Sequence, residues 1–382
     1  MISFELTPEQ QSLKDMVAKF VQSEVLPVAG KFDESCEFPF EVIKKAWELG
    51  IMNIAVPEKH GGLGLGVLDD VIINEELGAG CLGMCTSIAV NTLGLYPILL
   101  GGTDEQIKRL VGPFLEQPLL ASFCLTEPGS GSDAGSLSTT AKDMGDHYLL
   151  NGQKMWITNA GHASLFSVFC TTDKSLKSKG IACLAVDAKS PGIFLGKHEN
   201  KLGQRASDTR SITFENVKVP KENLIGKVGE GFKIALRTLD RTRPPIAASA
   251  VGAARAALEH SIRYSKERKQ FNQPISQFQG IQFMLADMAT KVEAGRLLCY
   301  RAGYLLDHGR DEEAGLASSH AKRFSADMAM EVSTDAVQIF GGYGYTKDYP
   351  VEKIMRDVKL VQIYEGTSQI QRVVIARHLL KD

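Results

Sequence analysis

The spacing of apolar residues changes twice along this chain of 382 residues, and that change limits the possible fold more than any other feature. Up to about residue 118 apolar residues recur at helical spacing, as in the stripe from Val42 to Leu49. Short β-rich segments follow, and long helical runs return after Gly231. The order helix, strand, helix predicts three consecutive units, each of ordinary domain size.

We therefore predict an α+β multidomain protein. Its expected units are an N-terminal all-α domain over residues 1–118, a middle β-barrel or sandwich domain over 119–228, and a C-terminal four-helix bundle over 229–382. The bundle is inferred from four apolar-periodic runs near residues 240–267, 277–308, 312–340 and 350–380. Two local signals are specific: Thr7-Pro8 predicts the start of the first helix, and Asn151-Gly152 predicts a turn between strands.

The composition restricts the possible partners and compartments. Basic and acidic residues number 43 and 45, so neither nucleic acid nor an anionic membrane is an expected partner. Seven scattered cysteines without a CxxC pair predict no disulfide framework and no metal site. The N-terminus lacks the pattern of an export signal. We expect a protein of the bacterial cytoplasm or, if it has been processed, of the mitochondrial matrix.

Glu365 is the only acid in the apolar run from Val361 to Ile370. A carboxylate in apolar surroundings loses hydration, which raises its pKa and makes it a better base at neutral pH. The following residue, Gly366, lets another molecule approach the backbone closely. An exposed glutamate in the first turn of a helix is the alternative interpretation, because the helix dipole favours an acid there.

The segment from Leu125 to Gly135 contains a loose match to the dinucleotide-binding fingerprint. Pro128 lies at the turn and no crossover helix follows, so a Rossmann site is excluded. The segment is compatible with presenting Thr126 and Ser132 to a cofactor, and equally with a simple surface turn.

Trp156 and Thr158 are predicted on one face of a strand. An indole beside a hydroxyl suits an aromatic cofactor, and a buried core tryptophan is the alternative. Arg268 and the bare backbone at Gly341-Gly342 are able to bind a phosphate, although a solvated helix end and a plain C-cap have the same composition.

The charged segment 240–243 directly precedes Pro244-Pro245, which predicts a helix entrance there, and an exposed structural role is an equal alternative. The eight histidines form no HExxH pattern, and neither a GxSxG elbow nor a Walker A sequence occurs. Zinc-protease, serine-hydrolase and P-loop chemistry are therefore excluded.

Five ordered motifs resemble the acyl-CoA dehydrogenase family, and its medium-chain members most closely. The motifs are LTEPGSGSD at 125–133, NGQKMWITN at 151–159, ERKQF at 267–271, QIFGG at 338–342 and IYEGT at 363–367. The resemblance spans nearly the whole chain and implies the same α, β, α architecture that the periodicity predicts.

The resemblance implies an FAD-dependent oxidoreductase, with a non-covalent FAD held partly across a subunit interface of a homotetramer. The implied FAD contacts are Phe123, Leu125, Thr126, Ser132, Trp156, Thr158, Arg268, Phe271, Gln279, Gln338, Gly341, Gly342, Thr367 and Gln369. The implied acyl-CoA contacts are Ser132, Asp240, Arg243 and Gly366, with Leu95 and Tyr96 at the pocket floor.

The mechanism implied by the resemblance makes Glu365 the catalytic base. Glu365 removes the pro-R α-proton of an acyl-CoA thioester while the β-hydride passes to flavin N5, which yields a trans-2-enoyl-CoA. The backbone N–H of Glu365 and a flavin ribityl hydroxyl stabilise the thioester oxygen. Thr242 occupies the position where some relatives carry the base. Electron-transfer flavoprotein is the implied electron acceptor, and β-oxidation of acyl-CoA is the implied setting.

The acyl group is left open by the sequence. Leu95 stands where medium-chain members tend to carry a polar residue, and Tyr96 is bulky. No arginine lies in 84–100, which argues against a dicarboxylic acyl group. Short, medium-chain, branched and alicyclic groups all stay compatible. An acyl-CoA oxidase and a non-catalytic acyl-CoA-binding protein are the alternative functions on the same scaffold.

Overall fold

The computed structural model describes residues 5–381 of the chain. Residues 1–4, on which part of the export-signal expectation rests, and residue 382 lie outside the described residues. Helices occupy the described chain up to residue 116, strands run from 120 to 225, and long helices follow from 231. The predicted fold class, an α+β protein with a β unit between two helical units, is confirmed.

The secondary-structure elements of residues 5–381 are numbered in chain order. The α-helices are α1 Pro8–Phe20, α2 Leu26–Ser35, α3 Phe40–Glu48, α4 Val67–Gly80, α5 Leu82–Gly101, α6 Asp104–Val111, α7 Pro113–Glu116, α8 Gly231–Glu267, α9 Gln279–Asp307, α10 Asp311–Phe340, α11 Val351–Lys359 and α12 Ser368–Leu379. The strands are β1 Leu120–Cys124, β2 Thr140–Asp143, β3 His147–Thr158, β4 Ala163–Thr171, β5 Ile181–Asp187, β6 Ile193–Leu195, β7 Thr209–Pro220, β8 Leu224–Ile225, β9 Lys269–Gln270 and β10 Gln273–Pro274.

The predicted start of the first helix is confirmed. The hydroxyl of Thr7 accepts a hydrogen bond from the backbone N–H of Gln10, and the side-chain oxygen of Gln10 accepts one from the N–H of Thr7, both at 3.2 Å. Pro8 occupies the first helical position, where its missing N–H leaves no bond unmade.

The middle unit is an eight-stranded sheet in the order β6-β7-β3-β2-β4-β5-β8, with β1 paired parallel to β4. The turn predicted at Asn151-Gly152 is wrong, because β3 continues through these residues as one long strand. Gly152 forms a bulge with φ 142°, and a Cβ there would lie 2.6 Å from Cα of Thr139. The glycine therefore permits a close strand approach rather than a reversal of the chain.

Helix α5 is the only helix of residues 5–381 long and apolar enough to cross a membrane, with a mean hydropathy of 1.4. Within the protein 83% of its apolar window is buried, since it packs against α8 and β1. A core helix of a globular protein accounts for this composition equally well.

The C-terminal unit differs from its prediction in two places. The fourth predicted helix, 350–380, is broken into α11 and α12 by a 3₁₀ turn at Leu360–Gln362 and an irregular segment at 363–367. The predicted helix entrance at 240–243 is also wrong, because α8 runs straight through this segment. Both departures lie at the candidate active site described next.

Candidate active site

The break between α11 and α12 places Glu365 in an irregular backbone. Its φ is 55° and that of Gly366 is 87°, both in the left-handed region. The alternative interpretation of Glu365 as an acid in the first helical turn is wrong, because Thr367 is the N-cap and its hydroxyl accepts from the N–H of Ile370 at 3.1 Å. A left-handed backbone costs a residue other than glycine on the order of 1–3 kcal/mol, and it persists only where surrounding contacts hold it.

Three buried side chains supply those contacts by binding the two carbonyl groups of this turn. Nε of Arg243 donates to O of Glu365 at 3.3 Å, and Nζ of Lys322 donates to O of Gly366 at 2.7 Å. Nε2 of Gln371 donates to both oxygens, at 3.3 and 3.1 Å. Within residues 5–381 no acceptor binds the N–H of Glu365 or Gly366. The turn thus has both carbonyls engaged and two adjacent donors free.

The carboxylate of Glu365 is held by a hydroxyl from α8. Oγ1 of Thr242 donates to Oε2 of Glu365 at 2.8 Å. Burial raises the pKa of Glu365, while the Thr242 hydrogen bond and the charges of Arg243 and Lys322 lower it. Because burial is the larger effect, the pKa lies above its ordinary value, as a general base working near neutral pH requires.

Pro244 does not end α8, and a neighbouring helix replaces the hydrogen bond that this proline removes. Pro244 has no N–H to donate to the carbonyl of Asp240 four residues earlier. The hydroxyl of Ser318 on α10 donates to that carbonyl instead, at 3.0 Å. Asp240 in turn accepts from Nη1 of Arg243 at 2.7 Å. The charged segment consequently lies inside a helix, with Thr242 and Arg243 both facing Glu365.

Trp156 lies on an irregular part of β3. A register shift between Lys154 and Ile157 interrupts the strand alternation, and Trp156 itself has φ 60°. Its side chain is 57% exposed, so the alternative of a core tryptophan is wrong. Thr158 follows two residues later and is partly buried. The strand therefore presents an indole and a hydroxyl at its surface, on a backbone whose position is fixed by the sheet.

A buried ion pair fixes the backbone beside Trp156. Nζ of Lys154 donates to Oε1 of Glu127 at 2.7 Å and to O of Leu125 at 3.0 Å, and both charged side chains are buried. Burial raises the pKa of Glu127, but Lys154 and hydrogen bonds from Ser138 outweigh it and lower the pKa to about 2. The N–H of Met155 donates to O of Thr126 at 2.9 Å, which ties β3 to the glycine-rich turn.

The remaining side chains predicted near Trp156 lie on β1 and on the glycine-rich turn. Phe123 packs on Phe169 with ring centroids 4.9 Å apart, and Leu125 is buried. Ser132 is exposed. An added Cβ at Gly129 or Gly131 would meet nothing within 4 Å, so this turn is open to another molecule.

A second group of predicted residues lies at the C-terminal ends of α8 and α10 and at the start of α9. The guanidinium of Arg268 lies 5.3 Å from the ring centroid of Tyr343, which follows Gly341-Gly342. Phe271 is 88% exposed, with φ 51°. Gln279 begins α9 and Gln338 is exposed near the end of α10. Thr367 and Gln369 lie elsewhere, at the start of α12 beside the Glu365 turn. Within residues 5–381 no hydrogen bond, ion pair or ring contact joins Arg268 or Phe271 to Trp156.

The predicted pocket-floor residues Leu95 and Tyr96 face different surroundings. Leu95 packs in a core cluster with Ile98 and Leu125. Tyr96 lies outside that cluster; burial raises the pKa of its hydroxyl, and the charge of Asp70 adds to this effect. The charge of Asp70 therefore acts on the hydroxyl of Tyr96, and the charge of Glu365 acts in turn on Asp70.

Sequence reasoning missed two titratable residues of this neighbourhood. Burial raises the pKa of Asp70 to about 7; a hydrogen bond from Asn74 opposes the shift, and the charges of Asp69, Asp307 and Glu365 add to it. Lys322 lies inside α10 and is fully buried. In the sequence Asp70 is an ordinary acid in the first turn of α4, while Lys322 is a lysine among alanines and serines, a weak sign of a functional position. Within residues 5–381 no three metal-ligating side chains cluster.

Three family models together match most of the chain. The model described as acyl-CoA dehydrogenase, N-terminal domain, matches residues 7–117. The middle-domain model matches residues 122–217, and the C-terminal-domain model matches residues 229–380.

Curated relatives match along their full length. An acyl-CoA dehydrogenase of Bacillus subtilis is 45% identical over 376 residues, which cover 98% of this chain and 99% of the relative. A 3-(aryl)acrylate reductase of Clostridium sporogenes is 43% identical, with 98% and 99% covered. A probable medium-chain specific acyl-CoA dehydrogenase of Caenorhabditis briggsae, described as mitochondrial, is 42% identical, with 99% and 92% covered.

Solved structures share the fold closely. A structure described as the electron transferring flavoprotein of Acidaminococcus fermentans contains a chain 46% identical to this one, and butyryl-CoA dehydrogenase from Megasphaera elsdenii is 40% identical. Both have a TM-score of 0.96 and full coverage of both chains. An acyl-CoA dehydrogenase complexed with FAD from Bacillus anthracis is 32% identical, with a TM-score of 0.94 and coverage of 100% of this chain and 68% of that one.

Proposed function

The chain belongs to the acyl-CoA dehydrogenase family, and from this premise we propose that Glu365 removes the α-proton of an acyl-CoA thioester in its conversion to the trans-2-enoyl-CoA. The family consists of flavin oxidoreductases acting on a CH–CH group, and this chain is one of these FAD-dependent enzymes. The domains proposed to build it are 1–118, 119–228 and 229–382.

The observation that carries the proposal is the environment of the Glu365 turn. Within residues 5–381 its carboxylate accepts one hydrogen bond, from Thr242, and its pKa is raised, so it is able to take a proton near neutral pH. The N–H groups of Glu365 and Gly366 have no partner within residues 5–381. Free donors beside a base suit the oxygen of a thioester, where negative charge develops as the α-proton leaves; one such donor is worth roughly 3–4 kcal/mol in other enzymes.

The residues near Trp156 fit a flavin. An isoalloxazine ring is flat and apolar with polar edges, and the exposed indole of Trp156 beside the hydroxyl of Thr158 matches that chemistry. Phe123, Leu125, Thr126 and Ser132 are the remaining proposed contacts on this side. When bound, FAD supplies the acceptor for the hydride of the β-carbon. The chain's own task is to orient the acyl group between this face and Glu365 and to exclude water.

The second group of proposed FAD contacts suits a phosphate and an adenosine. Arg268 provides a fixed cation, and a Cβ at Gly341 or Gly342 would meet nothing within 4 Å, so bare amides are accessible there. Phe271 offers an exposed ring. The other contacts proposed for this part are Gln279, Gln338, Thr367 and Gln369. Since within residues 5–381 no hydrogen bond, ion pair or ring contact joins Arg268 to Trp156, we propose that one FAD uses two subunits of a homotetramer.

Exposed aromatic side chains near that second group support the assembly. Phe271 and Tyr345 are each 88% exposed and Phe283 is 63% exposed, which is unusual for large apolar side chains in a monomer. Light scattering of the purified protein tests this proposal, with a mass four times 41.6 kDa expected. A monomer that retains stoichiometric FAD would contradict the shared site.

The proposed acyl-CoA contacts are Ser132, Asp240, Arg243 and Gly366, with Leu95 and Tyr96 proposed at the pocket floor. Because Tyr96 is bulky and buried, we propose a short- or medium-chain, branched or ring-bearing acyl group over a long straight chain. Relatives named for butyryl-CoA and for an arylacrylate are compatible with this range.

Electron-transfer flavoprotein is the proposed acceptor of the electrons, supported by the 46% identical chain found in a structure described by that protein's name. A role in β-oxidation is proposed with it. For the location we propose the bacterial cytoplasm or, for a processed protein, the mitochondrial matrix; the relatives include a Bacillus subtilis protein and one described as mitochondrial.

Anaerobic titration of the flavin absorbance with straight, branched, cyclic and dicarboxylic acyl-CoA thioesters tests the chemistry and the acyl group together. We expect a short or ring-bearing acyl-CoA thioester to bleach the flavin absorbance. In Glu365→Gln the rate of bleaching should be about 100- to 10,000-fold lower than in the wild type. Unchanged bleaching by Glu365→Gln would contradict the assignment. Rapid reoxidation by oxygen with release of peroxide would identify an oxidase, and binding without bleaching would identify a non-catalytic acyl-CoA-binding protein.

A further inference from the structure

Lys322 on α10 is a fully buried lysine without an acidic partner in contact. Its side chain has no exposed area, and within residues 5–381 Nζ forms no ion pair. Its hydrogen bond there is donated to the carbonyl oxygen of Gly366, at 2.7 Å. Burying an ammonium without a paired carboxylate is costly. This costly ammonium binds Gly366, the residue that follows Glu365 in the chain. Its position points to a role in the candidate site.

Helix α10 also binds both sides of the break that contains Glu365. Oδ1 of Asp327 accepts from Nε2 of Gln362 before the break and from Oγ of Ser368 after it, both at 2.9 Å. Lys322 binds the middle of the same segment through Gly366. Three points of a segment with two left-handed residues are therefore fixed to one rigid helix.

Resting on the function proposed above, we propose that Lys322 is a positioning residue for Glu365: its ammonium holds the carbonyl of Gly366, fixes the turn that aims the carboxylate, and opposes the charge on that carboxylate. A neutral side chain of equal length would fill the space and supply neither the hydrogen bond nor the charge.

The charges around Lys322 support this role. Those that face it are Glu365 on the turn, Arg243 on α8 and Asp327 on α10 itself. Burial lowers the pKa of Lys322 to about 7, the charge of Glu365 raises it, Arg243 lowers it and Asp327 raises it. The coupling is mutual, because the charge of Lys322 lowers the pKa of Glu365. Removing the cation should therefore raise the pKa of Glu365 further.

Three variants of the FAD-loaded protein separate positioning from general stability. Lys322→Met keeps an unbranched apolar side chain and removes the donor and the charge. Lys322→Arg keeps both and serves as the conservative rescue. Ser319→Ala is the matched control, because Ser319 is buried on the same helix and its hydroxyl donates to the carbonyl of Gly315, its one hydrogen-bond partner within residues 5–381.

Backbone hydrogen exchange over residues 363–370 tests the turn independently of any catalysis. In Lys322→Met we expect this segment to exchange about 10- to 100-fold faster than in the wild type, with Lys322→Arg intermediate and Ser319→Ala unchanged. Unchanged exchange of this segment in a folded Lys322→Met protein would overturn the positioning role, whether or not the wild type proves to be an acyl-CoA dehydrogenase.

The second measurement isolates proton abstraction. An acyl-CoA analogue with sulfur in place of the β-carbon has no β-hydride to lose, so exchange of its α-protons with D₂O reports the base alone. In Lys322→Met we expect the α-protons to exchange about 10- to 100-fold more slowly at pH 7, with unchanged affinity for the analogue. The acid limb of the exchange rate, plotted against pH, should move to higher pH. Lys322→Arg should restore part of the exchange rate. A wild-type rate and pH profile in Lys322→Met would overturn the electrostatic role. No α-proton exchange in the wild type would instead refute the proposed function, and the backbone measurement would still decide the role of Lys322.

Discussion

The hydroxyl of Thr242 donates a 2.8 Å hydrogen bond to Oε2 of Glu365, across 123 residues of sequence. This bond joins the middle of α8 to the break between α11 and α12. It favours the ionised carboxylate and so opposes the effect of burial on the pKa of Glu365.

Thr242→Val should raise the pKa of Glu365 further and move the acid limb of the rate profile to higher pH. At pH values on the acid side of the profile we expect the variant to react about tenfold more slowly than the wild type, because a hydrogen bond to a charged group is lost. The rate measured against pH checks this. Thr238→Val is the matched control, one turn earlier on α8: its buried hydroxyl has no partner within residues 5–381, so its profile should match the wild type. Equal displacement by both variants would contradict the role of Thr242.

Glu127→Gln should destabilise the protein strongly, because it leaves the buried ammonium of Lys154 without its carboxylate. Breaking such a pair typically costs about 3–5 kcal/mol, while replacing both partners with apolar residues costs much less. Because the pKa of Glu127 is lowered in the folded protein, its carboxylate contributes to the free energy of unfolding at pH values above the pKa that it has in the unfolded chain. This contribution is lost as the pH falls towards about 2.

Thermal denaturation at neutral and acid pH checks the role of this ion pair. The proteins compared are the wild type, Glu127→Gln and the double variant Glu127→Met with Lys154→Met. The difference in melting temperature between the wild type and Glu127→Gln should become smaller as the pH is lowered, down to the lowest pH at which the wild type stays folded. A double variant less stable than the single one would contradict the buried-charge argument.

Asp70→Asn should change how stability depends on pH. The folded-state pKa of Asp70 is raised to about 7 by burial, so its protonation stabilises the fold fully below the unfolded value of about 3.9. That stabilisation is lost as pH rises through about 7. The neutral amide of Asp70→Asn does not titrate, so the melting temperature of the variant relative to the wild type should increase between pH 5 and pH 8. Parallel curves over this range would contradict a strongly raised pKa.

Trp156→Ala should weaken FAD retention with little effect on the fold, because the side chain is exposed on the sheet. Loss of an aromatic stacking partner is expected to lower affinity for FAD about 5- to 150-fold. Flavin content after dialysis and the melting temperature of the flavin-free protein check both parts. The chain's other tryptophan gives the control: Nε1 of Trp47 binds O of Phe114 at 2.8 Å, so Trp47→Phe should lower stability and leave flavin content unchanged.

Much of the fold could be predicted from the sequence because it depends on local spacing. The helix start at Thr7-Pro8 is confirmed, and Thr7 forms a capping box there with Gln10, since both residues lie in one turn of chain. The errors have a common cause. Asn151-Gly152 has the composition of a turn, but pairing with two neighbouring strands keeps it within β3. Pro244 has the composition of a helix start, but Ser318 of another helix satisfies the carbonyl that the proline leaves free.

The amino-acid sequence by itself determined the order of helical and β units, the family motifs and the identity of Glu365 as an unusual acid, because these depend on side-chain types and their spacing. Only the tertiary structure decided that Glu365 lies in a helix break with left-handed backbone, and that Thr242, Arg243 and Lys322 meet it there. The physical reason is that burial, hydrogen bonding and charge act through distance in space. Helices α8 and α10 bring to Glu365 side chains that lie more than 40 residues away in the chain.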